Sequence, residues 1–134
     1  MPVSPSTTRL IYAREVDSES RAAAGLLATL TRVARVLADI HHPFARSTPF
    51  SYFLPPGGAR AGTRFTLPDG REVSFEVTIT SDERGFRVLG RGEEELPPAS
   101  TPDIHDALST LDDYADRLAR SAVRILDRLL DDIV

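Results

Sequence analysis

The chain has 134 residues, which fits one domain that can bury a core without help from a disulfide or a metal. It contains no cysteine, which excludes disulfides, thiolate metal sites and cysteine nucleophiles together and favours a reducing compartment. The net charge of −4 counts against nonspecific binding to nucleic acid or to an anionic membrane surface, since both need a basic face.

All 16 basic residues are Arg. With the many Ala, Leu, Asp and Pro, this composition points to a GC-rich bacterial genome rather than to an activity. No apolar run approaches the ~18 residues of a membrane span, and Met1 to Thr8 lack the basic and apolar regions of a signal peptide. These features together predict a cytoplasmic protein with a loose N-terminal tail.

Residues 9–16 alternate in a way that suits a short strand or a helical lead-in equally. A helix is predicted over 17–42, with Asp17 or Ser18 as its cap. Ala23, Leu26, Leu30, Val33, Leu37 and Ile40 follow helical spacing and form one stripe, widened by Leu27 and Val36. Pro43 stops it.

Residues 43–62 read as a linker rich in Pro and aromatics, with Phe44, Phe50, Tyr52 and Phe53 as its outstanding feature. A short strand fits Phe50–Leu54, and Pro55-Pro56-Gly57-Gly58 breaks the chain. A β-meander is predicted over 63–92. Pro68-Asp69-Gly70 is a hairpin signal, because Asp-Gly tolerates the positive φ of tight turns. Val73, Phe75, Val77 and Ile79 then alternate with polar residues, which predicts a sheet covered on one face only. Asp82-Glu83-Arg84-Gly85 turns the chain into a third strand at Phe86–Leu89.

Residues 93–101 form an acidic, Pro-containing connector. A final helix is predicted over 102–134, capped by Ser100 or Thr101 with Pro102 in its first position. Its stripe runs through Ile104, Leu108, Leu111, Leu118, Ile125 and Leu129 to Ile133. The predicted fold is α+β: an α-β-β-β-α order with a small antiparallel meander packed on two long amphipathic helices. Helices of roughly 26 and 30 residues would span ~39 and ~45 Å and overhang short strands, so their stripes need further cover. Leu30, Leu37, Leu111, Leu118, Ile125 and Leu129 are the candidates for helix packing and for a homodimer interface.

No residue stands out as catalytic, cofactor-binding or metal-ligating. His41-His42 with Asp39, and His105 with Asp103 and Asp106, lack any metal-ligand spacing, and adjacent helical histidines diverge by ~100°. Asp112-Asp113, Asp131-Asp132 and Glu93-Glu94-Glu95 read as solvated surface. Two surfaces carry a functional expectation. Phe44, Phe50, Tyr52 and Phe53 are candidates for binding a protein partner, because aromatics anchor interfaces. Arg64, Arg71, Arg84, Arg87 and Arg91 are candidates for an anion or nucleic acid.

The element order over about residues 17–134 is similar to that of the bacterial nucleoid-associated YbaB/EbfC family, whose members are small homodimers. That resemblance implies a DNA-binding dimer using the Arg-bearing hairpin. Small secretion chaperones, which are acidic dimers with a sheet and helices, are similar in layout as well. The leading expectation is a non-enzymatic accessory protein acting through protein–protein contact: a chaperone, an immunity or antitoxin partner, or an assembly factor. The alternatives are the nucleoid-type DNA binder and a small-ligand protein or enzyme of unnamed chemistry.

Overall fold

The computed structural model describes the backbone of residues 5–132 and the side chains of residues 21–132. Helix α1 spans Pro5–Ala38. Five strands follow: β1 Arg46–Leu54, β2 Gly58–Thr66, β3 Glu72–Asp82, β4 Gly85–Arg91 and β5 Ala99–Thr101. Helix α2, Ile104–Asp131, closes the chain. The strands form one antiparallel sheet in sequence order. The α+β class and the meander on two long helices are therefore as expected, but the sheet has five strands in place of three.

The two added strands are β1, which extends the short strand expected at Phe50–Leu54 into the linker, and β5, which lies in the connector. Residues 43–62 hold all of β1 and half of β2, and Pro55–Gly57 make the turn between them. Strand β2 is Gly58-Ala59-Arg60-Ala61-Gly62-Thr63-Arg64-Phe65-Thr66, poor in β-branched residues. Its position between β1 and β3 imposes the strand, because tertiary pairing outweighs weak intrinsic preference. The small Ala59 and Ala61 side chains face the helices and are fully buried.

The helix ends also shift. Residues 9–16 lie within α1, so neither a strand there nor a cap at Asp17 or Ser18 is found; Met1–Ser4 and Ile133 lie outside the described residues. The last turn of α1 tightens through Ile40 N–H donating to the Leu37 carbonyl, and the helix ends before Pro43 is reached. Ser100 and Thr101 sit in β5, and Asp103 is the true cap of α2, its carboxylate accepting from His105 N–H at 2.9 Å. The predicted hairpin is present, with Gly70 at φ 91°.

Both helices pack on one face of the sheet, α1 over β1 and β2, α2 over β3, β4 and β5. They run in the same direction, since Gly25 lies against Leu108, Arg32 donates to Asp112 at 2.9 Å, and His42 meets Asp127 at 2.7 Å. The odd number of strands requires this. The core between the layers is Phe65 edge-on to Phe75, with Val77, Ile79 and Val88 below Leu37, Leu111 and Leu126. Thr63, buried on the same face, donates to the Leu37 carbonyl at 2.7 Å, a second bond on the oxygen that also accepts from Ile40 N–H.

Leu30, Leu37, Leu111 and Leu118 are buried inside this core, with Ile125 and Leu129 packed at its margin. The six residues thus act in helix packing within the chain. Among the described residues, the exposed large hydrophobics of the two helices are Leu27 and Val123.

Candidate functional site

Among the described residues, no helix packs on the second face of the sheet. Directly opposed residues share a face, so the register fixes what it displays. One row runs Tyr52, Arg60, Thr78, Leu89; the next runs Phe50, Gly62, Glu76, Arg91. Arg64 and Arg87 flank these rows on the same face.

The centre of that face is a connected network. Arg60 is its hub. Its guanidinium donates through Nε to Glu76 Oε2 at 3.0 Å, through Nη2 to the same oxygen, and through Nη1 to Tyr52 Oη at 3.0 Å. It also lies over the Phe50 ring, 5.6 Å from the centroid. The Glu76 bond and charge, and then Tyr52, raise the Arg60 pKa above its ordinary value. Glu76 is only 8% exposed although no helix covers it. Arg60 and its neighbours shield it, and a charge this buried is held only by being paired and hydrogen-bonded.

Gly62 makes the network possible. A Cβ there would stand 2.7 Å from the Phe50 ring and 2.6 Å from the Phe75 carbonyl. The glycine therefore lets the Phe50 ring lie flat across β2, where it supports Arg60. Around this centre the face stays accessible: Tyr52 is 43% exposed and Leu89 36%. Among the described residues, Arg64 and Arg87 have no acidic partner within ion-pair distance, whereas Arg91 reaches Glu95 at 4.0 Å.

The structure thus joins parts of two surfaces that read as separate in the sequence. From the aromatic set it takes Phe50 and Tyr52. From the arginine set it takes Arg64, Arg87 and Arg91. It leaves out Phe53, which pairs with Ala59 on the helix-covered side, and Phe44, which lies beside His42 with ring centroids 6.0 Å apart. Arg71 is tied to Asp69 at 2.6 Å and to the Leu129 carbonyl, and Arg84 sits in the β3–β4 turn. Arg60 and Glu76, the hub and its anchor, were not singled out from the sequence. Alternation of Arg60, Gly62 and Arg64 with Ala59, Ala61 and Thr63 is the signal that places Arg60 on the open face. Glu76 required the register.

His42 has a structural role. His42 is buried; its Nδ1 accepts from Phe44 N–H at 3.1 Å, so Nε2 carries the proton and donates to Asp127. This ties the end of α1 to α2. Among the described residues no group of three or more His, Asp or Glu is placed to hold a metal ion. Every fully enclosed side-chain polar atom among them has a hydrogen-bond partner. Among the described residues no helix is long and apolar enough to cross a membrane. Comparison with known protein families, curated proteins and solved structures finds nothing that matches this chain.

Proposed function

We propose that this is a non-enzymatic accessory protein of the cytoplasm that works as a homodimer through protein–protein contact, of the chaperone, immunity or assembly-factor type. The partner docks on the open sheet face around Tyr52, Arg60 and Leu89. One observation carries the reading: a sheet face without a helix layer presents an aromatic–Arg–Glu network already fixed in place. A pre-ordered patch of Tyr and Arg binds with little loss of side-chain entropy, and such residues dominate interface energetics.

The test is capture of the partner from the native host by the tagged chain, read by native mass spectrometry. Tyr52→Ala with Leu89→Ala should abolish capture and leave the far-UV circular dichroism unchanged, whereas Phe44→Ala should capture normally. Undiminished capture by the Tyr52/Leu89 variant would refute the site.

A second reading, nucleic-acid contact, is favoured by Arg64, Arg87 and Arg91 sharing a face with Phe50 and Tyr52, since bases stack on aromatics while Arg meets phosphate. Glu72 and Asp82 at the ends of β3 and Glu95 beside Arg91 work against it. Fluorescence anisotropy of labelled single-stranded and duplex DNA at low salt separates the two. Salt-sensitive binding lost with Arg64→Ala and Arg87→Ala would support contact with DNA, and no binding at low salt would exclude it.

A further inference from the structure

We infer that two copies of the chain join edge to edge along β1, making one ten-stranded sheet under a continuous layer of four helices. The inference rests on the homodimer proposed above and supplies its surface in place of Leu30, Leu37, Leu111 and Leu118, which are buried in the core.

The two edges of the sheet differ. Beyond β4 the edge is closed by the short β5 and by a bridge pairing Arg91 with Glu95. The other edge is β1, nine residues long and exposed along most of its length. Among the described residues, no strand lies on its outer side. Natural sheets guard such an edge with charge, proline or a covering element. Here Ser47–Leu54 contain no charged residue in a chain that is 27% charged, and Pro49 is the one guard. The strand therefore offers a pairing surface.

The flank of α1 beside this edge matches it. Leu27, Thr31, Ala34 and Ala38 recur at helical spacing on the side turned away from α2. Leu27 is 52% exposed. Ala34, Arg35 and Ala38 line a shallow groove with Pro49, Phe50 and Ser51. At the far end of β1, Phe53 points to this same helix side and is 55% exposed. A notch and an unburied aromatic thus lie a few residues apart on an edge strand that carries no charge from Ser47 to Leu54.

That arrangement is self-complementary. A two-fold axis normal to the sheet near Ser51 pairs β1 with β1 antiparallel and keeps both helix layers on one side. Phe53 of each copy then meets Pro49 of the other, beneath Ala34 and Ala38. Spacing agrees as well. Helix α1 lies over β1 and β2; with strands ~4.8 Å apart, the two α1 helices stand about 10 Å apart, the usual packing distance. A seam ~30 Å long and ~20 Å deep through sheet and helix gives a footprint on the order of 600 Å². That approaches the roughly 800 Å² per partner of a stable interface. The pairing also sets Tyr52 beside Phe50 of the second copy on the open face, so two docking patches become one.

The test is the mass of the full-length chain by sedimentation equilibrium at about 1 to 100 µM, a span that covers the micromolar range of typical moderate affinities. The expected mass is twice the 14.7 kDa of the chain. Phe53→Lys and Leu27→Glu, each at a half-exposed position, should give folded monomers, and Val123→Glu on α2 should stay dimeric. A monomeric wild type would overturn both this inference and the dimer in the proposed function. A dimer that persists in both seam variants would overturn the seam alone. The docking face is tested independently by the Tyr52/Leu89 variant, which a monomer can report equally well.

Discussion

The two faces of the sheet are built from the same strands and do different work. The helix-covered face carries Ala59, Ala61, Phe65, Phe75, Val77, Ile79 and Val88, all buried. Its contribution is removal of apolar surface from water, which is large and nondirectional. The open face carries Phe50, Tyr52, Arg60, Glu76 and Leu89, held by a few directed bonds. Such bonds add little net stability but fix positions. That ordered and uncovered face is what the proposed partner contact rests on.

This contrast can be broken by mutation. The largest effect is expected at Phe75, fully buried against Phe65. Phe75→Ala should cost about 3–5 kcal/mol in urea denaturation, from lost transfer energy and the cavity left behind. Glu76→Gln keeps the shape but neutralises the acceptor beneath Arg60. Because Arg60 remains partly solvated, the expected loss is about 1 kcal/mol, accompanied by weakened partner capture. Tyr52→Ala and Leu89→Ala should each change stability by less than about 1 kcal/mol while removing capture. A large stability loss there would mean that the open face is a structural element.

The smallest effect concerns pH. The Arg71 backbone N–H, aided by its side chain, holds the Asp69 carboxyl below its ordinary pKa. A depressed carboxyl stabilises the fold above its unfolded pKa and loses that contribution as pH falls through the folded value. The stability difference between wild type and Asp69→Asn should therefore be greatest near neutrality and shrink below about pH 4. A difference constant from pH 7 to pH 2 would assign the effect to turn geometry.

The helix-covered half of the molecule was legible in the sequence. The alternation of Val73, Phe75, Val77 and Ile79, the spacing from Leu30 to Ile40, and Asp69-Gly70 are local patterns with one physical meaning. The edge strand was legible only in part, as a short strand at Phe50–Leu54. Pro49, Pro55-Pro56 and the Gly- and Ala-rich start of β2 argue locally for a loop, and only pairing with β3 decides otherwise. The α-β-β-β-α layout that resembles the nucleoid-associated family followed from that omission. For the same reason Phe50 to Phe53 read as one cluster, although strand alternation sends Phe50 and Tyr52 to one face and Phe53 to the other. The link from Arg60 to Glu76 spans two strands and depends on register, which no local pattern specifies.

The most direct test of the open face is hydroxyl-radical footprinting of the protein with the partner it carries from its host, against the stripped protein. Bound partner should protect Tyr52 and Leu89 and leave Phe44 and Val123 as reactive as before. Protection of Phe44 and Val123, with Tyr52 and Leu89 unchanged, would move the contact to the α2 end of the molecule and contradict the account.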